Sequence, residues 1–279
     1  MADLSILACY AHPDDEQGVT GTFRRYLEQG VRTGLVCATR GEVGEIADPS
    51  LATPETLGEV RESELRAALQ VVGIPELYFL DYRDSGMDGT RENKDPRAFI
   101  NADPPEAIGK LVKIIRAFRP TLVVTFDETG GYGHPDHLAI NRWTLAAFNA
   151  AGDPAQYPDL GPAFQPARLF FAGIARSAIK QMAELMRNAG IHSVFNQLSP
   201  DAFGLEDTRI TNRINVETYL DMKRESLAQH RTQNNPNGAF ARMPEEAWRS
   251  LRLYENFAYV AGTPLPPDSD PEDLFAGLR

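Results

Sequence analysis

Leu4-Ser5-Ile6-Leu7-Ala8-Cys9-Tyr10 runs directly into Ala11-His12-Pro13-Asp14-Asp15-Glu16, and the reading of that junction decides the fold. The first stretch is a short, almost wholly apolar run, the signature of a buried β-strand. The second packs a histidine and two carboxylates into four positions at the strand's end, enough to hold a divalent metal and set a base beside it. A second junction of the same kind lies far downstream. The apolar run over residues 121–126 leads to Gly131-Tyr132-Gly133-His134-Pro135-Asp136-His137, which adds two imidazoles and another carboxylate.

Working outward, short apolar runs at residues 4–10, 33–39, 77–80, 121–126 and 168–172 read as strands, and amphipathic segments fall between them. Residues 20–29 predict a first helix. Residues 55–72 predict a second, with Val60, Leu65, Leu69 and Val72 on one face and Gly73 as its stop. Residues 106–118 predict a third, opened by Pro104-Pro105 and closed before Pro120. Alternation of this kind predicts an α/β fold, a Rossmann-like, mostly parallel sheet with helices on both faces, plus a smaller C-terminal portion. With the strand order 3-2-1-4-5, the first and fourth strands are neighbours where the winding reverses, and ligands bind at such a crevice. Both histidine clusters would then face each other across it.

Beyond about residue 171 the pattern weakens. Residues 177–188 and 216–232 read as helices, 255–260 as a late strand, and the proline- and acid-rich tail 264–273 as a poorly packed extension. The expected division is a metal-dependent core over 1–175 and a C-terminal portion over 176–279 that packs on it and shapes the cleft.

Composition limits what such a site serves. The 279 residues are 42% apolar, ample for a core, and carry a formal charge of −11. That charge argues against a nucleic-acid partner and suits a small neutral or cationic substrate. Cys9 and Cys37 both lie in apolar runs and read as small buried hydrophobes. No stretch approaches the roughly 20 apolar residues of a membrane span, and the N-terminus lacks the basic segment of a secretory signal. No membrane partner and a cytoplasmic location are expected.

A catalytic zinc takes three protein ligands and keeps a fourth position open. His12 and Asp15, three apart, can reach one ion, and His137 can complete the set. Both His134 and His137 could ligate, with one left for the substrate. Asp14 points away from Asp15 and suits the role of taking a proton from metal-bound water, whose pKa falls to about 7 on a metal. Plainer roles exist for each. Residues 14–16 could complement a helix dipole, His134 and His137 could open a surface helix, and His192 and His230 read as loop and structural residues.

Together, the His12-Pro13-Asp14-Asp15-Glu16 and His134-Pro135-Asp136-His137 motifs resemble those of the PIG-L or LmbE-like family of zinc-dependent N-acetylglucosaminyl deacetylases, over about residues 4–172. The resemblance implies removal of acetyl from an N-acetylglucosamine-type compound, such as the precursors of glycosylphosphatidylinositol, mycothiol and bacillithiol. It implies His12, Asp15 and His137 as ligands of Zn2+, with Fe2+ as an alternative, and Asp14 as general base. His134 would stabilise or protonate the tetrahedral intermediate, Asp136 would hold its ring, and Tyr132 would donate to the oxyanion.

Gly130-Gly131-Tyr132-Gly133 and Arg83-Asp84-Ser85-Gly86-Met87 further resemble the mycothiol-type branch, in which Asp84 would bind sugar hydroxyls and Arg61 would grip the substrate. A helix-face pair of Arg61 with Glu64 and a plain turn at Asp84 are the competing readings. Glu42 and Glu45 either line the cleft or are solvated. The partner implied is a small amino sugar, with a homo-oligomer as the assembly relatives often adopt. A mycothiol S-conjugate amidase, a metal phosphoesterase and a non-catalytic sugar-binding relative are the alternatives. Gln17-Gly18-Val19-Thr20 lacks the lysine usual in the amidase.

Overall fold

The computed structural model describes residues 4–191, 204–236, 238 and 241–279. In chain order they form β1 (Ser5–Tyr10), α1 (Thr20–Leu27), β2 (Arg32–Cys37), α2 (Leu57–Val72), β3 (Glu76–Phe79), α3 (Pro104–Phe118) and β4 (Leu122–Thr125). A kinked turn, α4 (Gly130–Gly133), leads into α5 (Pro135–Ala151) and β5 (Arg168–Gly173). Then come α6 (Arg176–Asn188), β6 (Asn212–Asn215), α7 (Leu220–Gln229), α8 (Glu245–Arg252) and β7 (Tyr254–Gly262). His192 lies outside the described residues.

The helix boundaries follow local chemistry. Gly73 at φ 93° closes α2, its N–H bonded to the Leu69 carbonyl, because glycine enters the left-handed region without a Cβ penalty. Prolines occupy the first turn of α3, where their missing N–H costs nothing. Arg119, at φ 54°, ends that helix just before Pro120.

The seven strands form one sheet in the order β3-β2-β1-β4-β5-β7-β6, so the predicted 3-2-1-4-5 order holds for its parallel part. All six β1 residues are buried, as a central strand covered on both faces requires. Beneath one face lie Phe23, Tyr26, Leu65 and Leu69 of α1 and α2. Leu111, Val112 and Ile115 of α3 meet Ile140, Trp143 and Ala147 of α5 on the other. The winding therefore reverses between β1 and β4, which pair in register from Ile6↔Leu122 to Cys9↔Thr125 and end side by side.

Three features depart from the sequence reading. Strand β6 was not anticipated, because Asn212-Arg213-Ile214-Asn215 is polar except for Ile214, which is fully buried; it pairs antiparallel with β7, which pairs antiparallel with β5. The predicted helix over residues 216–232 begins as a separate 3-10 turn and stops at His230, whose backbone leaves the helix. The tail has no buried residue over 264–273, but it is tied down at both ends. Arg168, fully buried on β5, donates to the carbonyls of Thr263, Pro264, Leu274 and Ala276. Leu274 and Phe275, just past the acidic stretch, are buried completely against Tyr26, each contributing about 1.5–3 kcal/mol of apolar transfer.

Candidate active site

The crevice at the β1 and β4 carboxyl ends brings the two motifs together. After β1, the backbone N–H groups of Ala11 and His12 donate to Oδ2 of Asp15 at 3.1 and 2.8 Å. This folds the chain into a 3-10 turn and leaves Oδ1 of Asp15 facing Nε2 of His137 at 3.3 Å. On the other side, His134 is the N-cap of α5 and Pro135 its first residue, so Asp136 and His137 project from the first turn. The His137 ring stacks on Phe126 with centroids 4.0 Å apart.

Hydrogen-bond partners fix the tautomers. Nδ1 of His137 lies 2.9 Å from the Gly130 carbonyl, which can only accept, so Nδ1 carries the proton and Nε2 offers its lone pair. Nε2 of His12 faces carboxylate oxygens of Asp136 at 3.2 Å and Asp84 at 3.5 Å, so it carries the proton and Nδ1 offers the lone pair. Those two lone-pair nitrogens sit only 3.2 Å apart, with Asp15 oxygens 3.3 Å from one and 3.6 Å from the other. Nδ1 of His12, Nε2 of His137 and the Asp15 carboxylate converge as a donor set that fits a cation. Against the opposing effect of burial, Asp136, Asp15 and Asp84 raise the pKa of His12, so that positive charge is favoured there. A buried Asp136 oxygen, Oδ1, has no hydrogen-bond partner among the described residues, so the negative side of the site is not fully compensated by protein groups.

His134 belongs to the same cluster of donor atoms, within 4.8 Å of His12 and His137, but its chemistry differs. Its Nδ1 accepts from the Asp136 backbone N–H at 3.1 Å, so in the neutral ring Nε2 holds the proton and no lone pair is left for a metal. Burial, with His12 and His137 close by, lowers its pKa to about 4. It is therefore a neutral hydrogen-bond donor at pH 7. The side chain of Asp136 addresses His12 and accepts from the Ser85 N–H at 2.9 Å; it is the Asp136 backbone that holds the His134 ring. The first turn of a helix aims its N–H groups back at the N-cap residue, which is why the division falls this way.

Asp14 sits beside the donors with its backbone at φ 112°, ψ −21°. Such a conformation costs a non-glycine residue about 1–3 kcal/mol. Its N–H donates to Oε2 of buried Glu16 at 2.9 Å, and a hydrogen bond to a charged group returns about 1.5–3 kcal/mol. Removal from water and the adjacent Asp15 charge push its carboxyl up to about 6, the range of a general base working near neutrality.

Around this centre, Asp84 is buried and tied to Gly86 N–H at 2.8 Å and to His12. Glu42 accepts from the Asp84 N–H at 3.1 Å. Arg61 is buried, with Asp14 and Asp84 the carboxylates acting most strongly on it. One guanidinium nitrogen donates to the Glu45 carbonyl at 3.0 Å while Nε is unpaired. The helix-face pair of Arg61 with Glu64 is not formed: Glu64 instead accepts from the N–H and hydroxyl of Thr232. Tyr132 is 43% exposed, its ring centroid 5.0 Å from that of His137 and 6.2 Å from that of His134.

A family model described as PIG-L, GlcNAc-PI de-N-acetylase, matches residues 7–148, which include both histidine motifs. The chain belongs to the PIG-L family. A 1D-myo-inositol 2-acetamido-2-deoxy-alpha-D-glucopyranoside deacetylase of Geodermatophilus obscurus is 37% identical, over 98% of this chain and 97% of the relative. Among solved structures, the N,N'-diacetylchitobiose deacetylase of Pyrococcus horikoshii matches with TM-score 0.62 at 19% identity, covering 95% of this chain and 87% of that one. The 4-carboxy-2-hydroxymuconate hydratase GalB of Pseudomonas putida matches with TM-score 0.61 at 15% identity, over 95% and 99%. A fold shared with a hydratase leaves the chemistry to be argued from the site. No helix among the described residues of this PIG-L member is long and apolar enough to cross a membrane.

Sequence reasoning did not foresee three supporting residues of this PIG-L site. Glu16 holds the Asp14 backbone, Ser85 N–H holds Asp136, and buried Asp127 ties the glycine turn through Oδ1 to Thr129 N–H, Thr129 hydroxyl and Gly131 N–H. The signal for Asp127 was local, an Asp-x-Thr spacing of the Asx-turn type. Glu16 and Ser85 lie inside the quoted motifs, but no local pattern names the groups they hold.

Proposed function

We propose that the protein is a metal-dependent hydrolase that removes the N-acetyl group from an N-acetylglucosaminyl compound, with His12, Asp15 and His137 as ligands of a zinc ion. The observation that carries this reading is the pair of imidazole nitrogens 3.2 Å apart, flanked by Asp15. Family membership and full-length relatives named as deacetylases of a 2-acetamido sugar support it. Two imidazoles and a carboxylate also accept ferrous iron. When bound, a divalent cation there supplies Lewis-acid polarisation of an amide carbonyl and lowers the pKa of a coordinated water.

The chain's own groups then account for the proton traffic. Asp14, ionised at neutral pH, takes the proton of the attacking water. His134 donates from Nε2–H to the carbonyl oxygen as it gains charge, and the Tyr132 hydroxyl is the second donor on that side. Collapse breaks the C–N bond, the amine takes the proton Asp14 had accepted, and the acetic acid released gives up its remaining hydroxyl proton to solvent or to the amine, leaving acetate. Asp84, buried beside His12, binds sugar hydroxyls, and Arg61 grips the substrate.

The relatives' substrate is the first compound to try, and the cytoplasm the expected compartment for it. The test loads the purified protein with zinc or, anaerobically, with ferrous iron, and follows acetate and primary amine together. Stoichiometric release is expected from the inositol glycoside of N-acetylglucosamine. Metal-loaded protein that releases neither product from any N-acetylglucosaminide would overturn the reading.

A further inference from the structure

Asp14 adopts a backbone conformation that its own side chain does nothing to hold. Its N–H is anchored only through Glu16, whose Oε2 accepts it at 2.9 Å. The opposite oxygen of Glu16 accepts from Nε2 of His230 and from the Gln17 amide, both at 2.7 Å. Glu16 and His230 are both buried, His230 completely, and Nδ1 of His230 has no partner among the described residues. All the polar bonding of this ring is therefore directed at Glu16.

His230 is in turn fixed on both sides. Its own N–H bonds to the Leu227 carbonyl at the end of α7. Two residues on, Thr232 is gripped by Glu64 through its N–H and hydroxyl at 2.9 and 2.6 Å, and its carbonyl accepts from the Ala47 N–H at 2.8 Å. Helix α7 also reaches the same turn directly, with Nζ of Lys223 on the Gln17 carbonyl at 2.8 Å and the Ser226 hydroxyl on the Gln17 amide at 2.9 Å. Burying an acid and an imidazole merely to fill space is unfavourable, since an apolar pair would serve better. What the acid reaches is the backbone of Asp14.

We propose that Glu16 and His230 form a buried positioning pair that holds the Asp14 backbone, and with it the carboxylate, in the orientation needed to take a proton. This rests on the reading of Asp14 as the base. His230 bonds to Glu16, and its charge also acts directly on the Asp14 carboxyl, lowering its pKa. The C-terminal portion thereby contributes to the chemical step.

The test compares His230→Leu, which removes the donor, with His230→Gln, which returns an amide donor. With His230→Leu, kcat should fall about 10–100-fold, the size of effect typical of outer partners in a metal site, with KM and metal content unchanged. His230→Gln should recover most of that loss. If the leucine variant does not fold, Glu16→Gln replaces it. That variant keeps the volume but leaves one oxygen for three donors, and the same loss of kcat at constant KM is expected.

Unchanged kcat in these variants overturns the proposal, as does an equal loss in His230→Leu and His230→Gln accompanied by metal loss. If the wild type releases no acetate from any N-acetylglucosaminide, the functional reading fails instead. Crystal structures of wild type and variant then decide positioning alone: Asp14 leaving positive φ supports it, and an unmoved Asp14 overturns it.

Discussion

The two strand-end segments that build the site hold their residues in different ways. The segment from Asp127 to His137 is braced by its own neighbours: Asp127 ties the glycine turn, Gly130 offers its carbonyl to His137, and the Asp136 N–H holds His134. In the segment from Ala11 to Gly18, Asp15 is fixed that way by the N–H groups of Ala11 and His12, and the Asp14 carbonyl accepts from the Gln17 N–H at 3.1 Å. The Asp14 N–H depends on Glu16 and, through it, on His230, 214 positions from Glu16. Ligand geometry is thus a local property of both loops, whereas the geometry of the base belongs to the whole fold. Metal binding and turnover should therefore separate under mutation.

The largest separation is expected from Asp14→Asn. Asparagine tolerates positive φ better than most residues, so the loop should keep its shape while losing the proton acceptor. Turnover should fall about 10²–10⁴-fold, with metal content by elemental analysis equal to wild type. The wild-type pH profile of kcat/KM carries the same information. Because the Asp14 carboxyl is raised to about 6, its ionised form predominates above that pH and activity should fall as pH drops through it. Loss of metal from Asp14→Asn would mean that this carboxylate is a ligand and would erase the distinction.

The same contrast explains what the sequence made legible. The parallel strand order and the convergence of His12, Asp15 and His137 could be read because each depends on short patterns: apolar runs, proline and glycine punctuation, and ligands within a few residues of a strand end. Strand β6 was hidden because its one apolar residue is Ile214, and the rest, buried Asn212 among them, are polar. The tail's attachment was not legible because its anchors lie outside the acidic stretch, in Arg168 on β5 and in Leu274 and Phe275 just beyond it. The side chain of Asp136 turned to His12 rather than to His134, a choice set by helix-start geometry and by Ser85 across the crevice. His230 read correctly as structural, yet its partner could not be named, since no local pattern links residues 16 and 230.

An intermediate effect should come from Gly130→Ala, which attacks the locally braced segment. Gly130 sits at φ 61°, and a Cβ there would lie 2.8 Å from the Cβ of His137. Backbone strain of about 1–3 kcal/mol and displacement of a candidate ligand should appear together, as a lower urea midpoint and a weaker zinc affinity by competition with a chelator. His230→Gln should change neither. A Gly130→Ala protein with wild-type zinc affinity would show that the ligand on this side is not set by its own turn.

The smallest effect is expected from Asp127→Asn, and its contrast with Asp127→Ala tests whether charge or bonding braces the turn. Oδ1 of Asp127 accepts from Thr129 N–H at 2.9 Å, Thr129 hydroxyl at 2.7 Å and Gly131 N–H at 3.1 Å, and an asparagine carbonyl oxygen in the same place offers the same lone pairs. Stability should change by less than about 1 kcal/mol, the net size of an ordinary hydrogen bond. Alanine, by contrast, leaves the donors of a buried turn unpaired, at about 1–3 kcal/mol for each that water cannot reach. Because Gly131 precedes Tyr132, Asp127→Ala should also lower kcat. Equal urea midpoints and equal kcat for the two variants would mean that the glycines alone hold the turn, and that the local brace on this side of the crevice lies in the backbone rather than in Asp127.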